Sequence, residues 1–445
     1  MLAYGRLRKV IGVLALALAA QPAAAVDLLS VYREAQSADT VYNAARATNA
    51  ANQERLPQGL SGLLPVISVA GNTTYNDRDL QFRNGTPSTN AKFNSNSLSV
   101  TATQPLFRFQ NWVTYEQAKN QVSQAEATFL LANQELIIRV AQAYFDVLLA
   151  QNNVTLARAQ KAAFSEQFAQ AKRNFEVGTA TITDSNDAQA RYDLAVSQEI
   201  AAQNDLEIKR QALQPLIGRV PPELSALSAR FVPELPAPNN MDQWVEQGVM
   251  TSLQVRIAQS TLDIAAQDVT RNRGGHLPTL DAVASYTDTG SGAGFQGGVG
   301  LDTTTKAIGL QLTVPLYQGG FVNSKVREAL AIQEKARQDL ETAKRSVALS
   351  TRTAFLGVTS GVAQIKALEA ALISGQSSLD SSKLGQEVGV RTQVDVLNAL
   401  QQLISTRRDY AQVIYTYAIN VLKLKAAAGT LSDDDVAYVN QWLDK

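Results

Sequence analysis

Two periods share this chain. From about Trp112 to Phe175, apolar or small residues fall at Ala118, Val122, Ala125, Phe129, Ala132 and Leu136, then at Val140, Ala143, Val147, Ala150, Val154 and Ala157. Steps of four and three alternate, which is the seam of a left-handed coiled coil. The two consecutive fours at 132–136–140 are a stutter that locally unwinds it. The same seam returns at Val322, Val326, Ala329, Gln333, Ala336, Leu340, Ala343 and Val347. Each such helix would be roughly 95–100 Å long at about 1.5 Å per residue. The seam residues are mostly Ala. They let helices approach closely, as in the wall of a tube, but do not fill a thick core.

The second period is two. Ile67, Val69 and Tyr75 alternate with Ser68, Asn72 and Thr74, and Leu98, Val100, Ala102 and Leu106 with Ser97, Ser99, Thr101 and Thr103. Later, Leu280, Ala282, Ala284 and Tyr286 oppose Asp281 and Ser285, and Ile308, Leu310, Leu312, Val314 and Leu316 oppose Gly309, Gln311 and Thr313. These are strands with one apolar and one polar face. Each is about 10 residues, enough to cross a bilayer when tilted. Aromatics at the segment ends (Tyr75, Phe107, Phe109, Trp112, Tyr286, Tyr317) fit an interfacial girdle. The polar stretches Asn76–Ser95 and Asp288–Thr303 read as connecting loops. Alternation of this kind usually marks a soluble half-buried sheet. Here each pair lies between very long helices, with no sequence left to build a soluble core upon it. Four strands cannot close a usable barrel, and lipid does not tolerate an open edge. A symmetric oligomer resolves this. A trimer gives twelve strands; a dimer gives eight, and the pattern admits both.

The chain is internally duplicated. EVGTATITD at Glu176–Asp184 returns as EVGVRTQVD at Glu387–Asp395, offset by 211. Ala143-Tyr144 matches Ala354-Phe355, and Gly218 matches Gly429, at that same offset of 211. Pro105-Leu106-Phe107 matches Pro315-Leu316-Tyr317 at 210, and Leu64-Pro65 matches Leu277-Pro278 at 213. The expected organisation is a signal peptide over 1–25, repeat one over 26–218, a Pro-rich extended linker over 219–240, repeat two over 241–429 and a C-terminal segment over 430–445. Each repeat reads helix, strand, loop, strand, long helix, turn, helix. The short helices (28–56 with 182–217, and 241–272 with 392–428) stack end to end to the length of one long helix. In each turn Gly ends one helix, and Thr183/Asp184 or Asp395 can cap the next.

Composition narrows the function. Arg6, Arg8 and Lys9, an apolar run Val10–Ala20 and Ala23-Ala24-Ala25 make a secretory signal peptide. Without its three basic residues the chain has 37 basic and 40 acidic groups, a net charge of −3, which argues against nucleic acid. There is no Cys, so neither a disulfide nor a lipid-anchored cysteine is available. No later stretch has the roughly 18 consecutive apolar residues of a membrane helix. The one histidine, His276, reads as a boundary residue, and no catalytic, cofactor or metal constellation is expected. Asp433-Asp434-Asp435 reads as the acidic first turn of a helix capped by Ser432.

With these features in hand, the chain resembles the TolC-type outer-membrane efflux and secretion channels (outer membrane factors) over nearly all of its mature length. The most specific pieces are FEVGTATITDSNDAQARYD at 175–193, EVGVRTQVDVLNALQQL at 387–403 and LKLKAAAGTL at 422–431. The resemblance implies an α+β membrane protein: a homotrimer whose single 12-stranded β-barrel, four strands per chain, continues into a long α-helical coiled-coil barrel. It implies a passive export duct in the outer membrane that extends into the periplasm. Its partners would be a periplasmic adaptor (membrane fusion protein) and an inner-membrane transporter of an efflux pump or type I secretion system. It also implies a periplasmic gate, in which Thr183 and Asp184 link to Arg391 and Asp395 contributes to an acidic ring. Gly178 and Gly389 would mark the hairpin tips that meet the adaptor. Two positions depart from the family pattern: Asn398 where the second ring Asp often stands, and Gln386 where Tyr often precedes the Val-Gly pair. A soluble periplasmic coiled-coil adaptor or scaffold is the alternative from another class.

Overall fold

The structure is a computed structural model that describes residues 25–81, 83, 88–228, 231–293 and 299–444. All of the expected signal peptide except Ala25 lies outside the described residues. The elements are α1 (Leu28–Ala38), α2 (Thr40–Gln53), α3 (Arg55–Ser61), β1 (Val66–Leu80), β2 (Thr89–Phe107), α4 (Phe109–Glu176), α5 (Ile182–Ile217), α6 (Met241–Thr251), α7 (Leu253–Arg273), β3 (Thr279–Ser291), β4 (Leu301–Thr313), α8 (Phe321–Glu387), α9 (Gln393–Ala427) and α10 (Asp433–Asn440). The long helices α4 and α8 hold 68 and 67 residues. Their seams are inward-facing: Ala118, Ala125, Leu136, Val140, Val147, Ala150, Val154 and Ala157 are buried in α4, and Val322, Ala329, Ala336, Leu340 and Val347 in α8.

The shorter helices are more broken than the periodicity predicts. One helix over 28–56 is interrupted at Asp39, whose extended backbone leaves its carboxylate free to accept the Tyr42 N–H at 2.6 Å. Arg139 adds two hydrogen bonds at 3.0 Å to the same carboxylate. A second break precedes α3, where Pro57 has no N–H to continue the helical ladder. The helix expected over 241–272 is broken at Ser252.

The chain divides into two compact units, and each draws on both halves of the sequence. The first holds the described residues of 25–47, 129–255 and 344–444. Its larger core gathers Leu28, Tyr32, Leu136, Tyr144, Phe145 and Leu422, and a smaller one gathers Trp244, Phe355, Val358, Ile365 and Tyr417. The Pro-rich linker runs extended over these cores. It bridges Val26 through Leu224 and Leu443 through Leu227. Tyr144 donates its hydroxyl to the Ser225 carbonyl at 2.8 Å, and Tyr417 does the same to Glu234 at 2.7 Å. The acidic run at 433–435 is structural. Asp433 accepts the Tyr32 hydroxyl at 2.7 Å, and Asp435 closes a capping box with Ser432 and pairs with Lys425. One window of α8 is apolar enough by average hydropathy to cross a membrane. Ser, Thr and Gly interrupt that helix, and it buries Val358, Val362 and Ile365 in the second core.

The second unit, residues 48–128 and 256–343, carries a four-stranded antiparallel sheet in the order β1-β2-β3-β4. The strands are longer than the alternation alone indicates. They take in residues 76–80 and 89–95 of one expected loop and 288–291 and 301–303 of the other, because the backbone ladder of each adjoining strand continues without needing an apolar face. Register aligns Ile67, Ala102, Ala284 and Ile308 in one row, and Val69, Val100, Tyr286 and Lys306 in the next. The reverse face carries Ser68, Thr101, Ser285 and Ala307. The apolar face lies open: Ile308 is 89% exposed and Leu310 70%. The outer edges of β1 and β4 have no strand partner among the described residues. At the base of the sheet the Arg108 guanidinium forks onto Asp281 at 2.8 and 2.7 Å and pins the start of α4 to β3.

Candidate functional site

The two helical hairpins, α4–α5 and α8–α9, end in turns of the same build. Gly178 and Gly389 adopt left-handed φ angles of +78° and +81°, which a residue with a Cβ resists. Each lets the chain fold back onto the preceding helix end. The Thr179 N–H reaches the Asn174 carbonyl at 2.8 Å, and the Val390 N–H reaches Gly385 at 2.8 Å. The next helix starts with a capping box. Thr181 caps α5 with Asp184 at its third position, and Thr392 caps α9 with Asp395. The expected cap at Thr183 is therefore corrected to Thr181, and Thr183 lies exposed in the first turn of α5.

These boxes occupy the two acids. Asp184 accepts from the Thr181 N–H at 3.0 Å and its hydroxyl at 2.8 Å. Asp395 accepts from the Thr392 N–H and hydroxyl, both at 2.9 Å. The Thr392 N–H first, then its hydroxyl and the charge of Arg391, hold the Asp395 carboxyl below its ordinary range. Arg391 is exposed, and its stem crosses Gly385 so closely that a Cβ there would stand 2.6 Å from Arg391 Cγ. Among the described residues of one chain, no ion pair joins Arg391 to Asp184 or Asp395.

Within the chain, other side chains tie the hairpins together. Gln386 of α8 donates to Gln393 of α9, and Gln393 donates to Gln167 of α4, linking the two halves of the sequence through three amides. Arg191 of α5 forks onto α9, with Nη1 donating to Gln401 and Nη2 to Asn398, each at 2.8 Å. Farther along, Lys161 at 2.5 Å and Arg158 at 3.4 Å hold Glu199, and Lys161 is the main cause of its lowered pKa. A polar cleft of about 350 Å³ opens between the turns, lined by Asn174, Asp184, Gln386, Thr392 and Gln393 among others. Gln386 and Asn398 thus have hydrogen-bonding roles within one chain. Gln167, Gln393 and Arg191 escaped the sequence reading, since polar residues on a helix surface give no periodic signal of their partner.

The other named residues are placed as follows. Phe107 ends β2, Trp112 lies in the first turn of α4 and Tyr317 follows β4. Tyr75 and Tyr286 lie inside the lengthened strands, on the apolar face. All five are exposed, from Tyr286 at 40% to Tyr317 at 88%. Above Tyr286 that face turns polar: Thr304 donates to Asp288 at 3.1 Å. His276 is exposed, its Nε2 at 3.2 Å from Asn323 Oδ1.

A sheet that bares an apolar face and carries a polar reverse has the build of strands that meet lipid on one side and water on the other, as in channel proteins of the outer membrane. The model of the family described as "Outer membrane efflux protein" matches residues 31–219 and 242–430. The outer membrane protein TolC of Escherichia coli is 34% identical over 433 residues, covering 95% of this chain and 86% of that one. The alkaline protease secretion protein AprF of Pseudomonas aeruginosa is 30% identical over 424 residues, covering 94% and 88%. The crystal structure of the outer membrane protein VceC of Vibrio cholerae has the same fold, with a TM-score of 0.76 at 18% identity over 90% of this chain and 96% of that one. The chain belongs to the outer membrane efflux protein family. It is an outer-membrane channel of the kind that works in efflux and secretion systems, and not an enzyme.

Proposed function

We propose that three copies of this chain form one duct, with a twelve-stranded barrel in the outer membrane and a helical tunnel in the periplasm. The observation that carries this is the sheet: an exposed apolar face with two unpaired edges cannot stand alone in lipid. Each mature chain contributes two repeats, 26–218 and 241–429, joined by the linker 219–240, after loss of the signal peptide 1–25. The aromatics Tyr75, Phe107, Trp112, Tyr286 and Tyr317 border the apolar band at the two membrane surfaces. Cargo passes down the polar interior, and the energy comes from an inner-membrane transporter reached through a periplasmic adaptor.

The gate in this proposal lies at the hairpin turns. Thr183 and Asp184 with Arg391, together with Gln386 and Asn398, hold the hairpins inward, and Asp395 lends negative charge to the constriction. Since Asp184 and Arg391 are unlinked within one chain, their pairing is assigned to neighbouring chains. Gly178 and Gly389 mark the tips that meet the adaptor. A protein-secretion role is the second reading, favoured by the 30% identity to AprF. Conductance of the purified protein in planar bilayers tests the channel. Discrete pores are expected, and their absence under every salt and voltage condition refutes the duct.

A further inference from the structure

The polar face of the sheet is almost without charge. Ser, Thr, Asn and Gln make up most of it, as at Ser68, Thr101, Ser285 and Gln311. Among the described strand residues, Arg78 and Asp281 alone on that face are ionisable. They stand at opposite ends of the sheet. Asp281 is buried at the base, beside the first turn of α4, where the Arg108 fork neutralises it. Arg78 lies twelve residues along β1 from Val66, about 40 Å of strand away from the base. In 0.1 M salt, charge is screened within about 10 Å. The sign of the polar face at its far end is therefore set by Arg78, and a guanidinium keeps its charge at any working pH.

Local structure holds Arg78 in that place. Its guanidinium carbon lies 4.8 Å from the centre of the Phe93 ring on β2, over the ring face. Beside it, Asn76 donates to Ser95 Oγ at 2.9 Å, across the same two strands. Phe93 is the one aromatic among the described residues of the polar face, and it serves there as a platform for the cation. Burial follows the same alternation. Asn76, Arg78 and Phe93 are half-buried, whereas Asp77, Asp79 and Lys92 are exposed. The side that holds Arg78 is thus the more covered one, as the inside of a curved sheet should be. The acids next to it in sequence belong to the other face. The connections 81–88 and 292–300 contain no acid and one further cation, Arg83.

We propose that Arg78, supplied once by each copy, forms a cationic collar at the outer mouth of the duct. The collar favours anions leaving through the mouth and turns back cations that arrive from outside. This rests on the duct proposed above and gives its outer end a selectivity of its own. Rings of fixed arginine select anions, as rings of carboxylates select cations. The wall between base and mouth is neutral and rich in hydroxyls, so cargo meets no competing fixed charge there. The sign is opposite to that of Asp395 in the proposed constriction. A small ion of either sign therefore meets one unfavourable ring on its way through.

Single-pore currents of the full chain in planar bilayers test this. Protein is added to one compartment; its long helices stay on that side, so the outer mouth faces the other. Inositol hexaphosphate in the far compartment is the probe. In 0.1 M salt it should block the wild type, and Arg78→Gln should weaken that block about tenfold, as loss of a ring of like charge in a narrow mouth predicts. Arg78→Lys should retain the block. Arg78→Glu should exchange it for block by the polycation spermine. In 1 M salt, with a screening length of about 3 Å, all variants should behave alike. The chain has no cysteine, so Arg78→Cys gives a second arm within a formed pore. A cationic methanethiosulfonate from the far side should restore the block, and an anionic one should not. Wild-type block no stronger from the far side than from the near overturns the collar, whatever the variants do. Unchanged block in Arg78→Gln and Arg78→Cys pores removes Arg78 from the mouth. If Arg78→Lys is as weak as Arg78→Gln and the cationic reagent restores nothing, packing on Phe93 and not charge is at work, and the proposal falls. Absence of pores from the unmodified protein refutes the duct itself instead.

Discussion

Arg191→Ala isolates the fork from α5 to α9 that holds the hairpin ends together. In a buried site, hydrogen bonds from a guanidinium are worth about 1.5–3 kcal/mol each. Here Asn398 and Gln401 are exposed, so water competes for both ends and about 0.5–1 kcal/mol per bond is the better figure. The two bonds at 2.8 Å then contribute about 1–2 kcal/mol to the packing of α5 on α9 in each chain. Under the gate proposed above, with opening that parts these helices, that corresponds to a factor of about 5–30 in the closed-to-open ratio. Single-channel recording in planar bilayers reads this ratio as open probability. Arg191→Lys should behave nearly like the alanine variant, because an ammonium keeps the charge but cannot span both amide oxygens as a fork. Its partners are neutral amides, so the effect should depend little on salt, unlike an ion-pair lock. An alanine variant of normal oligomeric mass with unchanged open probability would refute the role of this fork.

Three further outcomes are expected. Arg391→Ser should raise the leak current of the closed channel, more at low than at high salt; an unchanged closed state removes Arg391 from the gate. Asp395→Asn should lower the preference for cations, measured as a reversal potential in a salt gradient, and unaltered selectivity would take Asp395 out of the constriction. Asp39→Ala should destabilise the unit that holds α1 and α4 by about 2–3 kcal/mol, seen as a lower midpoint in thermal unfolding. The figure combines a buried ion pair, discounted for the partly exposed Arg139, with loss of the Tyr42 cap. Although burial opposes it, the hydrogen bond from Arg139 leads the contributions that leave the Asp39 carboxyl below its ordinary value. A carboxyl with a lowered folded pKa stabilises above its unfolded value near 3.8, and that contribution fades as pH falls through the folded pKa. The wild type should therefore lose this margin only in strong acid, and the variant should show a flatter acid limb. Equal limbs would remove Asp39 as a source of acid sensitivity.

Elements governed by a repeating pattern were legible in the sequence. The seam of α4 was placed residue by residue, because Ala and Val at 4-3 spacing can share only one helical stripe. The strand faces were likewise fixed by alternation. The helix break at Asp39 was not legible. It depends on Arg139, 100 positions away, making a kinked carboxylate more favourable than a straight helix. The extra length of the strands was also missed, since residues 89–95 carry little apolar signal and are ordered by the backbone of their neighbours. At the hairpin turns, Gly178 and Gly389 were legible as turn residues, but the caps expected at Thr183/Asp184 and Asp395 fall to Thr181 and Thr392, with the two acids at the third position of each capping box; Gln167, Gln393 and Arg191 were not read at all.

The sequence by itself therefore determined the periods, the duplication and the turns, all of which are local and repeat. Only the tertiary structure decided which polar residues meet. Arg191 and Asn398 lie 207 positions apart, Gln167 and Gln393 226, and Arg108 and Asp281 173. A single hydrogen bond between helices has no period to announce it. It exists because two long elements are brought side by side by apolar seams elsewhere, and the polar residues that happen to face each other then become the joints.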